Sequence, residues 1–207
     1  MSKDTRYRSI LLVGPPGVGK GTQGAILGRI PGFFHVSIGD VLRALDVSSD
    51  VGRTFYEYSS RGELVPDEII IELWKRNIYA RTILSYFKPD SDVLVLDGIP
   101  RNVNQARLLE EHVRVLKVIH LVCHDEEAMI RRIRKRAVKQ NRPDDAREEV
   151  IRRRWEVYRE QTQPVLDFYP KEIIADASAD AGPGTVLRNI LRIAVPVQEL
   201  HFRNALD

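Results

Sequence analysis

The chain has 207 residues, 43% of them apolar and 29% charged, with 32 Lys or Arg against 29 Asp or Glu. That size and balance describe one substantial globular domain able to bury a core, with any mobile parts as excursions from it. A lone cysteine, Cys123, excludes an internal disulfide, no run of 18 apolar residues offers a membrane span, and "MSKDTRYRS" lacks the apolar stretch of a secretory signal, so a cytoplasmic protein is expected.

Short apolar runs alternate with longer helical patterns along the whole chain. Strands are predicted at Arg8–Val13, Phe33–Val36, Val93–Asp97, Val115–Val122 and Glu172–Ala175. Their continuous apolarity predicts parallel strands covered on both faces. Helices are predicted near 20–30, 39–46, 50–60, 67–87, 102–112, 125–139, 144–168 and 183–192. Strand and helix in alternation imply an α/β fold around a five-stranded parallel sheet. Cys123 reads as a small buried residue at a strand end, and residues 193–207 read as a tail.

The first strand breaks into Gly14-Pro15-Pro16-Gly17-Val18-Gly19-Lys20-Gly21-Thr22 before a helix. Gly14, Gly19 and Lys20 have the spacing of a phosphate loop in its strand–loop–helix context. Glycines let backbone N–H groups turn around an anion, the helix N-terminus adds partial positive charge, and the lysine supplies a full one. The usual Ser or Thr after the lysine is Gly21 here, so magnesium is not expected to bind the loop in the usual way.

Further along, "HVSIGDVLRA" puts Asp40 and Arg43 in a first helical turn, and "RGELVPDEII" leads into a helix at Pro66. In "VLVLDGIPRNVNQA", Asp97 ends a buried strand and Arg101 follows the turn. In doubly wound sheets ligands sit beyond the carboxyl ends of the strands, which sets Asp97 and Arg101 beside Lys20. Residues 129–159 hold twelve Lys or Arg against five Asp or Glu. By charge alone that stretch is a solvated helix face, a nucleic-acid patch or a clamp on polyphosphate.

These motifs occur in the order seen in adenylate kinases, and the chain resembles that family over roughly residues 8–190. The resemblance implies a P-loop fold with a mobile arm over the nucleoside monophosphate and a lid over ATP. It implies a single kinase domain over 1–207, with its core at about 8–38, 74–131 and 155–192, an arm at about 39–73 and a lid at about 132–154. Five residues, "AVKQN", separate Arg136 from Arg142, which matches the short-lid form without zinc ligands. The implied reaction is transfer of the ATP γ-phosphoryl group to AMP with Mg²⁺, in a monomer that binds neither nucleic acid nor membrane.

The residue roles come from the same resemblance. Gly17, Val18, Gly19, Lys20, Gly21 and Thr22 match the ATP phosphate loop, with Arg132, Arg136 and the backbone of Gly182 also toward ATP. Ile38, Arg43, Glu63, Leu64, Val65, Gly98, Ile99, Pro100, Arg101, Gln105, Arg142 and Arg154 match the AMP site, Gln105 as the amide that reads adenine. Asp97 matches a carboxylate that anchors magnesium through water. Lys20, Arg101, Arg136, Arg142 and Arg154 match the charges around the migrating phosphoryl group, with Arg153 as the alternative to Arg154 because this chain is one residue longer there. Asp144 and Asp145 match an acidic pair that ties the lid.

Three positions depart from the family pattern: Ile38 and Asn102 replace threonines, and Ile99 replaces phenylalanine. Ile38 removes a hydroxyl from the base site, and Asn102 resembles UMP/CMP kinases, so a UMP/CMP or broad nucleoside monophosphate kinase is the alternative. A regulator without catalysis would be expected to lack one of the charges that are present. A nucleic-acid reading of "RRIRKR" leaves Lys20 and Gln105 without a task.

Overall fold

The computed structural model describes residues 4–139, 142, 145 and 147–202. Its strands are β1 (Tyr7–Val13), β2 (Phe33–Ser37), β3 (Val93–Asp97), β4 (Val113–Val122) and β5 (Ile174–Ser178). They form one parallel sheet in the order β2-β3-β1-β4-β5. Side chains alternate between the faces of a strand, so each apolar run divides between two cores. Leu11, Val13, Leu94 and Leu96 pack with Trp74, Ile78 and Leu109 on one side. Ile10, Leu12, Val93 and Val95 pack with Leu27, Ile133 and Ile190 on the other. Continuous apolarity is what a sheet with two buried faces requires.

The helices are α1 (Lys20–Leu27), α2 (Ile38–Arg43), α3 (Asp50–Ser59), α4 (Asp67–Ile83), α5 (Val103–Glu110), α6 (Glu126–Lys139), α7 (Glu148–Val157), α8 (Val165–Phe168) and α9 (Pro183–Glu199). The long helix expected over 144–168 is three pieces, because a five-residue π-turn at Tyr158–Thr162 separates α7 from α8. Single π-turns frequently mark functional sites, and this one presents Tyr158 and Thr162 to the central cleft. The last strand lies later than its expected span of 172–175. Residues Lys171–Ile173 are a 3₁₀ turn, and pairing of Val118 through Val122 with Ile174 through Ser178 sets the strand. Cys123, just beyond β4, is half-buried against the second core rather than enclosed by it.

The tail reading of 193–207 is corrected as far as Glu199. α9 passes through Pro196, where a proline normally breaks a helix by removing one hydrogen bond. Its buried stripe runs at four-residue spacing through Val186, Ile190 and Ala194, which join the second core, to the buried polar Gln198. Gln198 Nε2 donates to the Pro31 carbonyl at 2.6 Å, so the last two turns dock the loop before β2. Truncation after Ile193 is therefore expected to cost roughly 3 kcal/mol of burial and hydrogen bonding, lowering Tm by about 10 °C. A melting point within 2 °C of the full chain would contradict this docking role.

Candidate active site

The cleft opens at the carboxyl ends of β1, β2 and β3 and has about 1020 Å³ of empty space, its open mouth included. On one side lies the turn after β1. Gly14, Gly17 and Gly19 hold φ of 153°, 83° and 103°, values that side chains resist and that let the backbone curl inward. Lys20 is the first residue of α1, where orphan N–H groups and the helix dipole favour an anion. Its Nζ donates to the carbonyls of Gly14 at 2.6 Å and Pro15 at 3.0 Å. Withdrawal of the ammonium from water lowers its pKa to about 8, an effect that Asp97 opposes and that Arg101, Arg154 and Arg136 reinforce.

Asp97 ends β3 at 6% exposure, paired in register with Leu12 and with Ser37. A Cβ on Gly21 would come within 3.3 Å of its Oδ2. Gly21 is thus packed against the carboxylate. Of the remaining loop positions, Gly14, Pro16 and Lys20 line the cleft. Val18 points its side chain into the core, Gly17 backs onto Met129 and Ile133 of α6, and Thr22 is exposed. Of Gly17 through Thr22, only Lys20 brings its side chain to the cleft.

The opposite wall comes from α2, the segment before α4, and the turn after β3. Ile38, Arg43, Glu63, Leu64, Val65, Gly98, Pro100, Arg101 and Gln105 all line it. Ile99 instead turns inward and is buried in the first core at 2% exposure. Arg43 is held by Asp40 at 2.8 Å, and Arg101 Nε donates to the Gly98 carbonyl at 2.9 Å. Asn102 is not aimed at the cleft. Its carbonyl caps α5 by accepting from the Gln105 N–H at 2.7 Å, and its amide donates to Asp67 at 2.8 Å. Each contact accounts for a polar end of Asn102 without a base.

The basic stretch resolves into distinct positions. Asp145, fully buried, accepts from Arg136 at 2.6 Å and from Arg154. Burial alone would raise its pKa, but Arg154 and Arg136 together hold it below the usual carboxylate value. Arg154 lines the cleft, whereas Arg153 points to Glu156 and Glu160 on the outside. Arg142 donates to Asp40 at 3.1 Å, reaching across to α2. Arg132 is exposed, its guanidinium 3.8 Å from Met129 Sδ, and neither it nor Gly182 lines the cleft. Gly182 caps α9 and borders Pro183, whose carbonyl accepts from Gln23. Asp144 lies outside the described residues.

Among the cleft residues that have no role in the sequence reading are Phe55, Ser59, Tyr158 and Thr162. Thr162 Oγ1 donates to the Arg101 carbonyl at 2.7 Å and so fixes the turn that carries that arginine. The π-turn that brings Thr162 there has no local signature in "YREQT". Among the described residues, no three His, Cys, Asp or Glu side chains stand together as a metal cluster, and no helix is long and apolar enough to cross a membrane.

Comparison with known proteins points one way. The family model described as Adenylate kinase matches residues 12–174. A protein of Thermobifida fusca (strain YX) named adenylate kinase is 42% identical over 180 residues, covering 84% of this chain and 90% of its own. Similar proteins of that name occur in Prochlorococcus marinus (strain MIT 9211), at 39% identity over 77% of this chain and 82% of that one, and in Thermus thermophilus, at 39% over 78% and 83%.

Proposed function

The chain belongs to the adenylate kinase family, and from that premise we propose how its residues divide the work of moving a phosphoryl group from MgATP to AMP, giving two ADP. An oxygen of the AMP phosphate attacks the γ-phosphorus as the bond to the β–γ bridging oxygen breaks. The bond pair leaves with ADP, and no proton need move. Such a transfer asks the protein for in-line placement and positive charge rather than covalent chemistry. The observation that carries the reading is the convergence of Lys20, Arg43, Arg101 and Arg154 on one cleft beyond the strand ends, with the buried Asp97 close enough to Lys20 to oppose its loss of charge.

Lys20 and the loop N–H groups hold the outer ATP phosphates. Arg43 and Arg101 hold the AMP phosphate, and Arg154, with Arg136 and Arg142, neutralises charge on the migrating group. Leu64 and Val65 pack on the base, and Gln105 reads it. Asp97 suits magnesium, which keeps several waters and needs only one or two carboxylates alongside phosphates. When bound, that ion neutralises charge on the β- and γ-oxygens. Arg132 and Gly182 serve ATP outside the cleft as it stands, Arg132 after lid movement and Gly182 through its backbone.

Residues 39–73 act as an arm and 132–154 as a lid. Two contacts between them support this: Arg142 to Asp40, and Arg147 to the Ser60 carbonyl at 2.7 Å. Closing both before chemistry excludes water from the γ-phosphate. One chain supplies every charge named, so the enzyme works as a monomer.

The decisive experiment is ADP formation from MgATP with AMP, CMP, UMP, GMP and dAMP offered separately. AMP is expected to lead by orders of magnitude. Leadership by UMP or CMP would overturn the AMP assignment, and inactivity with all five would overturn the catalytic one.

A further inference from the structure

Gln105 is 1% exposed, and both ends of its amide are spoken for. Its Oε1 accepts from the Arg101 backbone N–H at 2.8 Å, and its Nε2 donates to Asp67 Oδ1 at 2.8 Å. Asp67 itself does not line the cleft but stands behind Gln105. It also accepts from Asn102 Nδ2 at 2.8 Å and from Asn104 Nδ2 at 2.7 Å. A carboxylate only accepts and a backbone N–H only donates, so the two fix the amide's orientation from opposite ends. Flipping Gln105 would set donor against donor at Arg101 and acceptor against acceptor at Asp67. At a buried side chain, water cannot repair either mismatch.

We propose that Asp67 is a positioning residue for base selection: by locking the Gln105 amide, it makes the cleft accept bases that carry an amino group and reject their oxo counterparts. The inference rests on the reading above, that the cleft holds AMP with its base at Gln105. One Nε2 hydrogen and one Oε1 lone pair remain for a base. Adenine offers its amino donor beside a ring-nitrogen acceptor on either of its two edges, which complements that fixed pair. Hypoxanthine differs by one group, an oxo in place of the amino group, with N1 now a donor. Its Watson–Crick edge has the opposite order, and its other edge has two acceptors. A free amide would turn to meet either purine, but a locked one cannot. Cytosine shares adenine's order, so rejection of CMP falls to the apolar walls rather than to Asp67.

The sequence carries the device as Asp67 in "LVPDE" with Asn102 and Asn104 in "RNVNQ". Asn102 is part of it twice over, because its carbonyl also accepts the Gln105 backbone N–H. The residue that resembles a pyrimidine reader in sequence is thereby a support for the purine-reading amide.

The test compares kcat/KM for AMP and for IMP in the natural enzyme and in Asp67→Asn, Asp67→Ser and Asp67→Glu. The natural enzyme is expected to prefer AMP by on the order of 10⁴-fold, the discrimination typical of a site built to hydrogen-bond one group. Asp67→Asn and Asp67→Ser should each shrink that ratio at least tenfold, chiefly through a higher KM for AMP, with KM for ATP within about twofold. Asp67→Glu, which keeps an acceptor-only partner, should recover most of the ratio. A merely structural aspartate would lower both substrates by one factor and leave the ratio unchanged, which overturns the proposal. So does a natural enzyme that takes IMP within threefold of AMP, and that result needs no variant to fold. An enzyme inactive on AMP would instead overturn the underlying assignment, so the two failures are distinguishable.

Discussion

Replacing Lys20 with methionine is expected to lower kcat by on the order of 10³-fold or more while making the ligand-free protein more stable below pH 8. The two effects have one cause. The ammonium lies against the Gly14 and Pro15 carbonyls, partly withdrawn from water and with three arginines near it, which brings its pKa to about 8. It is a charge kept in an unfavourable place until phosphates arrive. The sign follows from proton counting. The unfolded lysine titrates near 10.5 and the folded one near 8, so between those values the unfolded chain binds more protons and stability rises with pH. Below pH 8 both states are charged and the full cost is present. A shift from 10.5 to about 8 corresponds to roughly 3 kcal/mol at most, reduced by the two hydrogen bonds the variant forfeits. Thermal melts at pH 6.5 and 9.5 with steady-state rates check both parts. The variant should melt several degrees higher at pH 6.5, with the gap narrowing at pH 9.5. A lower melting point at pH 6.5, or a rate within tenfold of the natural one, would refute the account.

Arg154→Ala should cost on the order of 10³-fold in kcat, whereas Arg153→Ala should stay within about twofold. The neighbours lie on different sides of α7. Arg154 lines the cleft, helps depress Lys20 and pairs with the fully buried Asp145. Its removal takes a positive charge from the cleft and leaves Asp145 with Arg136 as its principal charge partner. Arg153 spends its charge on Glu156 and Glu160 at the surface, where ion pairs contribute little. Asp145→Asn offers a check on the same geometry, since it weakens the hold on Arg154 without removing the guanidinium. Reversed rankings of the two alanine variants would mean that the helix turns its other side to the substrate.

The strands nearest the site were legible in the sequence because sheets with two buried faces need long apolar runs, and "SILLV" and "VLVLD" have them. The last strand was legible only in part, its span expected two to three residues early, because "IADAS" has little apolar weight and takes its place by pairing with β4. Pro196 hid the end of α9, whose continuation depends on a stripe that only packing reveals. In the site, Lys20, Asp97, Arg101, Gln105 and Arg154 stand in motifs whose local chemistry is already informative, and the structure brings them together at the strand ends. Choosing Arg154 over Arg153 needed the path of the chain from Asp145 into α7. Asp67 and Thr162 were invisible as partners, since each acts across a separation that no local pattern encodes, 38 residues to Gln105 and 61 to Arg101.

By itself the sequence determined the α/β sheet, the phosphate loop and the kind of chemistry, because apolar runs, glycine positions and the lysine act within one or two turns of chain. Only the tertiary structure decided which of Arg153 and Arg154 lines the cleft, what packs against Gly21, and how the Gln105 amide is held. Those depend on distances between segments far apart in the chain, set by sheet register and by the burial that leaves a polar group no partner but the one beside it.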